Sequence, residues 1–248
     1  MIAAANQPYF LPYIAYWQLI HASDLFLIGD DYAYIKRGWI NRNRILFNGA
    51  PEYFGVEVQK ASSFRLCSEL RRAEIDKRKK MNKIYEAYHN APYYEAGREL
   101  IDGILSCEEE VLSEYLLFSI REICAYLGIT TPIMKTSEIE GNSLLKREQR
   151  IFDFCEKLGA DVYANPIGGM ALYSFEDFRR HGISLRFIRT GEIAYRQYGG
   201  AFVDKLSILD VIMFNSPEEI RTMLDQYVWV TEDGILQKEE AFGGCHER

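Results

Sequence analysis

The spacing of hydrophobic residues at the start of the chain predicts a strand, a helix and a second strand. A short apolar run, Ile2 to Ala5, precedes a turn that contains Pro8 and Pro12. An amphipathic helical pattern follows, and then a second apolar run from Leu25 to Ile28. Short apolar runs separated by a segment of helical period are typical of a strand-helix-strand unit.

The middle of the chain has a helical period. Residues 65–90 predict a helix, or a helix and a turn, and apolar positions at helical spacing continue through 93–106 and 108–127. Gly128 is a signal for a helix C-terminus. Before this region, residues 30–58 predict a loop and then short strands, with a turn at Gly49-Ala50-Pro51.

Beyond residue 130 strand and helix patterns alternate. This alternation is the signature of a parallel sheet covered by helices. We therefore predict an α/β fold: an open, mostly parallel, Rossmann-like sheet with flanking helices and a helical middle segment. A single domain spans 1–230 with a helical insertion at about 65–127, and 231–248 form a loose C-terminal tail. The predicted segments are strands at 131–139, 160–166 and 183–189 and helices at 145–159 and 174–182.

Composition narrows the classes of function. Of the 248 residues, 48% are hydrophobic, which is enough for a packed core. The formal charge of -7 argues against a nucleic-acid partner. No apolar run is long enough for a membrane span, and polar residues at 6–8 interrupt the first one, so we expect no signal peptide. These features predict a cytoplasmic protein.

The cysteines argue against metal and redox chemistry. All five are widely separated and none forms a Cys-x-x-Cys pair, so we expect no metal site. An odd number of cysteines fits a reducing compartment. Each is either a nucleophile or a small buried hydrophobe, and the second interpretation is favoured. Classical serine-hydrolase and zinc-protease motifs are absent from the sequence.

Candidate site residues follow the predicted strands, because open parallel sheets bind ligands at the carboxyl ends of their strands. Gln7, Tyr9, Tyr13 and Tyr16 in the opening turn predict the floor of a polar, aromatic cleft. Asp30 and Asp31 end the second strand, and they are candidate catalytic groups that would accept a proton from a substrate amine. The alternatives are that the pair binds Mg²⁺ through water, that it holds an arginine, or that it is a loop cap paired with Lys36 or Arg37.

The basic segment 36–44 is the second candidate. Arginine forks match phosphate oxygens, whereas amides and an aromatic face suit a sugar or a base. In an extended strand Arg42 and Arg44 would share one face. The alternative is a solvated basic strand. The predicted substrate-binding residues of this segment are Arg37, Trp39, Asn41, Arg42, Asn43 and Arg44.

Six further residues, in three regions of the chain, complete the predicted site. His89 is a third catalytic candidate, although it has no identified partner in the sequence. Asn165, Gly168 and Gly169 follow a strand, and glycines there either let a backbone approach a phosphate or form a tight turn with positive φ. Tyr195 and Gln197 follow the last strand of the alternating region. Near them Ser207 predicts a helix cap, with Asp210 in the acidic first turn.

Two resemblances bear on function. The opening unit resembles nucleotidyltransferase-like folds such as that of pantothenate synthetase, which carry His-x-Gly-His at this place. Here the motif is Tyr13-Ile14-Ala15-Tyr16, so the charged imidazoles are missing. The resemblance therefore supports the fold more than ATP chemistry.

The second resemblance covers nearly the whole chain and is to the WbqC-like family. Four sequence blocks, in this order along the chain, show the resemblance: "NQPYFLPYIAYWQLIHASDLFLIGDDYAYIKRGWINRNRI", "KRKKMNKIYEAYHNAPYYE", "RIFDFCEKLGADVYANPIGGMALY" and "LSILDVIMFN". The family usually has Gly where this chain has Ala15. The resemblance implies a role in bacterial O-antigen and surface-polysaccharide biosynthesis, through modification of sugar nucleotides.

These observations favour a transferase that N-acylates or aminoacylates a nucleotide-linked amino sugar. The alternatives are a non-catalytic nucleotide or sugar-nucleotide binder, an ATP-dependent adenylating ligase, and a nucleic-acid binder that uses 36–44 and 71–83. The cofactor is open: an acyl or aminoacyl donor is favoured over ATP. The sequence does not fix the oligomeric state, nor whether segment 36–44 meets the opening turn in space.

Overall fold

The computed structural model describes residues 1–236 as a seven-stranded main sheet, a separate β-hairpin and eight α-helices. The strands are β1 (Ile2–Asn6), β2 (Leu25–Ile28), β3 (Arg42–Phe47), β4 (Ala50–Gly55), β5 (Ile133–Lys135), β6 (Val162–Pro166), β7 (Ser184–Thr190), β8 (Tyr227–Thr231) and β9 (Gly234–Leu236). The helices are α1 (Ile14–His21), α2 (Lys77–Tyr88), α3 (Tyr94–Ser106), α4 (Leu112–Leu127), α5 (Glu148–Leu158), α6 (Phe175–Arg180), α7 (Ile208–Phe214) and α8 (Pro217–Leu224).

The first strand lies inside the main sheet. The order is β5-β2-β1-β6-β7-β8-β9, in which neighbouring strands from β5 to β7 are parallel and the β7-β8 and β8-β9 pairs are antiparallel. From β1 the chain first builds toward β5 and then returns to add β6 and β7 on the other side. This is a doubly wound order with a reversal between β1 and β6. The predicted α/β fold with a mostly parallel sheet is confirmed.

Alternate residues of the central strand face two different cores. Ile2 and Ala4 belong to a large core with the helical segment, whereas Ala3 and Ala5 belong to a smaller core. Helix α5 supplies Phe154 to this smaller core. Because both faces of β1 are covered, its residues are apolar at consecutive positions. The alanine side chains are also small, so they let the helices approach the sheet closely.

The hairpin β3-β4 turns at Asn48-Gly49, one residue earlier than predicted. Both residues have positive φ, 49° and 75°, as a two-residue type I′ turn requires, and Phe47 pairs with Ala50. The Phe10 amide donates to the Ile40 carbonyl at 2.9 Å. The basic segment 36–44 therefore meets the opening turn.

Three predicted boundaries differ from the structure. Only residues 77–88 of the predicted 65–90 helix form an α-helix, which begins where Asp76 accepts a hydrogen bond from the Lys79 amide. Strand β5 is three residues long because Thr136 and Ser137 turn into a 3-10 helix. Gly234–Leu236 pair with β8, so the predicted loose tail is wrong for this part, and its remainder, 237–248, lies outside the described residues.

A buried carboxylate holds the long segment between β7 and α7. Asp210 is fully buried and accepts hydrogen bonds from Tyr88 Oη at 2.8 Å, Tyr195 Oη at 2.7 Å and Gln197 Nε2 at 2.9 Å. Burial raises the pKa of Asp210, and the three donors partly offset this effect. Asp210 is therefore a structural acceptor that fastens the loop to α2 and α7. The predicted cap is confirmed as well, because Ser207 caps α7 and Asp210 lies in its first turn.

Replacing Asp210 by Ala should lower the free energy of unfolding by about 2–4 kcal/mol, because buried donors lose their acceptor. Asp210→Asn keeps one acceptor oxygen and should cost less than half as much. Asp204→Ala, at an exposed aspartate in the same loop, is the matched control and should change stability by under about 0.5 kcal/mol. Urea unfolding measures all three. Equal effects at 210 and 204 would contradict this role.

Candidate functional site

The candidate site is a cleft of about 900 Å³ at the carboxyl ends of β1 and β6, where the strand order reverses. We call it the first cleft. Open α/β sheets bind ligands at this reversal. Its walls come from the ends of three strands and from the start of α5. The lining residues are Ala5, Asn6, Gln7, Asp31, Tyr32, Ala33, Leu145, Lys146, Arg147, Glu148, Arg150, Ile151, Tyr163, Asn165, Leu172 and Tyr173.

An ion pair forms one wall of the first cleft. Arg150 Nη2 lies 2.8 Å and 2.7 Å from the two carboxylate oxygens of Asp31, and the side chains are 11% and 8% exposed. The guanidinium also stacks over the Tyr32 ring at 4.6 Å, and the Thr136 hydroxyl donates to Asp31. The lone pairs of Asp31 are therefore engaged. This arrangement supports a positioning role for Asp31 and argues against the predicted role as a proton acceptor.

Asp30 does not line the first cleft. It is 3% exposed, and its carboxylate accepts hydrogen bonds from the Ser137 amide at 3.1 Å and the Ser137 hydroxyl at 2.6 Å. It thereby joins the end of β2 to the residues after β5. The predicted catalytic role of Asp30 conflicts with this burial.

Asn165 and two tyrosines form the opposite wall. Asn165 Nδ2 donates to the Tyr163 hydroxyl at 2.9 Å. Burial raises the pKa of Tyr173, and a hydrogen bond from Tyr163 partly offsets this effect. Tyr173 therefore stays protonated at neutral pH and can donate a hydrogen bond into the first cleft.

The predicted glycines lie beside this wall, in a 3-10 helix over Ile167–Leu172. Neither Gly168 nor Gly169 has positive φ, so the tight-turn interpretation is wrong. A Cβ on Gly169 would lie 2.3 Å from Asn165 Oδ1, whereas a Cβ on Gly168 would meet nothing within 4 Å. Gly169 is thus required for its close contact with Asn165.

Three charged residues at the start of α5 were missed by sequence reasoning. Lys146, Arg147 and Glu148 line the first cleft, and none of their side chains makes an ion pair or a hydrogen bond with another residue among 1–236. In the sequence they resemble the solvated charges of any helix start. A usable signal was their position directly before the helix that follows a predicted strand, which is the ligand edge of such a sheet.

The opening-turn residues divide between structural and exposed positions. Gln7 lines the first cleft, and its Nε2 donates to the Ala33 carbonyl at 3.0 Å. Tyr16 is buried, its ring lies tilted against that of Tyr9, and its hydroxyl donates to the Gln7 carbonyl, so it supports the turn rather than facing a ligand. Tyr13 is 39% exposed and lines a different cleft.

The asparagines of segment 36–44 are committed to the fold. Asn41 accepts a hydrogen bond from Tyr34 Oη and donates to the Val56 carbonyl, and Asn43 is buried and accepts from the Arg44 amide. The predicted ligand contacts of both asparagines conflict with these bonds. Arg37, Trp39, Arg42 and Arg44 belong to the same hairpin region and do not line the first cleft.

The remaining candidates lie elsewhere. The His89 ring stacks on Tyr85 with centroids 4.8 Å apart, and Tyr195 and Gln197 bind Asp210. None of the three lines the first cleft. Of the predicted residues, only Gln7, Asp31 and Asn165 come together there.

Thiolate and metal chemistry have little support in the described residues. Burial raises the pKa of the Cys67, Cys124 and Cys155 thiols to about 12, so they are protonated at neutral pH. No group of three His, Cys, Asp or Glu side chains within 1–236 is arranged to hold a metal ion. No helix in that part of the chain combines the length and the apolar character needed to cross a bilayer.

Comparison with known proteins gives a family but no established activity. The profile described as the WbqC-like protein family matches residues 7–222. The chain is similar to an uncharacterized protein, Rv1507c, of Mycobacterium tuberculosis (strain ATCC 25618 / H37Rv), with 30% identity over 224 residues, 86% of this chain and 92% of that protein. No solved structure gives a significant match.

Arg150→Ala should lower the free energy of unfolding by about 3–5 kcal/mol, because it leaves the buried Asp31 carboxylate without its cation. The control is Arg180→Ala, which removes an arginine from exposed ion pairs and should cost under about 1 kcal/mol. Chemical denaturation measures both. Equal losses would show that the ion pair contributes no more than a surface pair.

Gly169→Ala should destabilise the fold by about 1–3 kcal/mol, since its Cβ forces Asn165 to move. Gly168→Ala is the neighbouring control, and there the added methyl group meets open space. Thermal unfolding of the two variants provides the comparison. Loss of stability at both positions, or at neither, would refute the close-contact argument.

Proposed function

The chain belongs to the WbqC-like protein family, and we propose that it is a transferase that modifies a nucleotide-linked amino sugar by N-acylation or aminoacylation. Family membership supports a role in polysaccharide biosynthesis, in particular of bacterial surface polysaccharides such as O-antigen. A cytoplasmic site of action is part of the proposal, since sugar nucleotides are cytoplasmic intermediates.

The free cations of the first cleft carry the proposal. Lys146 and Arg147 face a cleft at the reversal of strand order and have no carboxylate partner within 1–236. A diphosphate supplies the negative charge that would pair with them, and arginine can bind phosphate oxygens at two points. Arg150 is excluded from this role because Asp31 already holds it.

The polar wall suits the sugar. Gln7 and Asn165 line the first cleft; their amide nitrogens donate to Ala33 and Tyr163, and their amide oxygens can accept from hydroxyl groups of a ligand. The volume of about 900 Å³ lies in the range of small-molecule sites, about 300–1,000 Å³. The first cleft therefore accommodates a ligand of this size and polarity.

Glu148 is the carboxylate best placed to accept the amine proton. It lines the first cleft half-buried and free of hydrogen bonds and ion pairs from other residues in 1–236, in contrast to Asp30 and Asp31. Tyr173 on the opposite wall would donate to the oxygen of the transferred acyl group. The high pKa values of the buried thiols favour direct transfer between two bound substrates over a covalent cysteine intermediate.

A non-catalytic sugar-nucleotide binder is the second candidate, and the commitment of Asp30 and Asp31 to the fold favours it. An adenylating ligase is less well supported. Tyr16, at one histidine position of the resembling motif, is buried against the turn, and Tyr13 faces a different cleft. Product formation separates the transferase from the binder.

We expect a nucleoside-diphosphate amino sugar to raise the melting temperature of the protein, because it binds the native state only. Lys146→Ala and Arg147→Ala should each weaken binding about tenfold by removing a charge-assisted phosphate contact. Lys79→Ala, at an exposed lysine on α2, is the control and should leave binding unchanged. Titration calorimetry measures the affinities.

Glu148→Gln distinguishes turnover from binding. It should retain the affinity for the sugar nucleotide and slow acyl transfer about 100-fold or more, as expected when a general base is lost. Mass spectrometry of the product measures the rate. If Lys146→Ala and Arg147→Ala bind the sugar nucleotide as tightly as the unmodified protein, the proposal loses its basis. If the protein binds the sugar nucleotide but forms no product, the non-catalytic candidate is favoured.

A further inference from the structure

A second cleft lies at the same edge of the sheet, beyond the carboxyl end of β7. It has a volume of about 420 Å³ and a mainly apolar lining that includes Ile14, Ile167, Ile193, Leu206 and Val211. The 3-10 helix Ile167–Leu172 connects the two clefts, because Ile167 at one end lines the second and Leu172 at its other end lines the first. Ligands in the two clefts would therefore contact opposite ends of the same short helix.

The rim of the second cleft continues onto the β3-β4 hairpin. Lys205 lines this cleft, where its Nζ lies 3.5 Å from the exposed Asp204 carboxylate, and its carbonyl accepts a hydrogen bond from Arg44 Nη2 at 3.3 Å. The Ser207 amide donates to the Arg44 carbonyl at 2.8 Å. The Arg44 guanidinium in turn lies over the Trp39 ring at 5.7 Å. These contacts form a continuous track from an apolar pocket, past cations, to an exposed aromatic ring.

The far end of this track is an aromatic platform, defined by Trp39 and Tyr53. The rings are 42% and 51% exposed, and their centroids lie 6.4 Å apart. Arg42 covers Tyr53 at 4.2 Å, and Arg42 and Arg44 share one face of β3, as predicted. Exposed rings beside guanidinium groups suit a planar, electron-rich base.

The cations around the platform lack carboxylate partners. Lys36, Arg37, Arg42 and Arg44 make no ion pair with any residue in the described range 1–236, although the whole chain carries a formal charge of -7, and Arg42 and Arg44 donate only to backbone carbonyls. In an acidic protein, a cluster of cations without carboxylate partners beside exposed aromatic rings is complementary to an anionic ligand that contains a ring. Phosphates attached to a base have this combination.

We propose that this track binds the acyl donor of the reaction, and that the donor is an acyl thioester carried on a nucleotide. The acyl group would enter the second cleft, the phosphates would contact Arg44 and Lys205, and the base would stack on the platform. The assignment rests on the proposed transferase function. It adds the chemical class of the donor and gives a use to the second, apolar cleft at the same edge of the sheet.

The transfer balances without a further reactant. The amine nitrogen of the sugar attacks the thioester carbonyl carbon, so a C–N bond forms as the C–S bond breaks. The sulfur leaves with the electron pair of the C–S bond, and the proton lost from the nitrogen reaches it, by way of Glu148, to give a free thiol. The products are an amide and the thiol form of the carrier.

Titration calorimetry with coenzyme A, acetyl-coenzyme A and butyryl-coenzyme A tests the donor track. Trp39→Ala and Arg44→Ala should each weaken binding of all three probes about tenfold. Each methylene added to the acyl group should tighten binding about fourfold. Ile193→Trp fills the second cleft and should abolish this dependence on chain length. Tyr85→Ala, at another exposed tyrosine, 55% exposed on α2, is the matched control and should change nothing.

The outcomes separate this inference from the proposed function. If the amino-sugar nucleotide binds through Lys146 and Arg147 but no coenzyme thioester binds, the donor track is wrong and the proposed function stands. If thioesters bind through Trp39 and no sugar nucleotide binds, the donor site stands and the acceptor is wrong. Trp39-dependent binding of single-stranded RNA without thioester binding would overturn the inference in favour of a nucleic-acid surface.

Discussion

The central position of β1 is the constraint on which the rest of the structure depends. A strand covered on both faces has to be apolar throughout, and it has to be small where helices approach closely. Ile2 to Ala5 meet both conditions. Once β1 is fixed there, the chain builds the sheet outward on one side and then on the other, and a gap opens where the two halves diverge. The first cleft is this gap.

Burial distinguishes the charges that hold the fold from those available to a ligand. Arg150 and Asp31 are withdrawn from water, and such charges are tolerable only when they are paired and hydrogen-bonded. Lys146, Arg147 and Glu148 remain in contact with solvent at the same edge of the sheet, so their charges do not need a protein partner. The same helix start therefore supplies a structural cation one turn away from free ones.

Sequence reasoning recovered the sheet and part of the first cleft. Strand periods and helix stops depend on local sequence, which is why the parallel core and the end of α4 at Gly128 were predicted correctly. Position after a strand was also sufficient to find Gln7, Asp31 and Asn165. The sequence did not predict which charged residues pair, because Asp31 and Arg150 are 119 residues apart and their ion pair depends on the tertiary fold.

The same limit explains the errors at polar residues. Asn41, Asn43 and Tyr16 have polar side chains of the kind that bind ligands. In the structure these side chains form hydrogen bonds with backbone groups instead. Ser207 caps α7 and Asp210 lies in its first turn, as predicted, but the sequence did not show that Asp210 is buried and accepts from three side chains. A polar side chain in the sequence does not reveal whether its partner is protein or ligand.

The Asp210 anchor also bears on how this scaffold can diversify. It fixes the loop after β7 at Tyr195 and Gln197, while the following residues, which include Gly199 and Gly200, lie exposed at the surface. Lengthening a surface loop costs little free energy, since the entropy of closure grows only slowly with length. Insertions between the anchor and α7 would reshape the rim of the second cleft and leave the core intact. Evolution could thus alter substrate range in this segment without a matching loss of foldability.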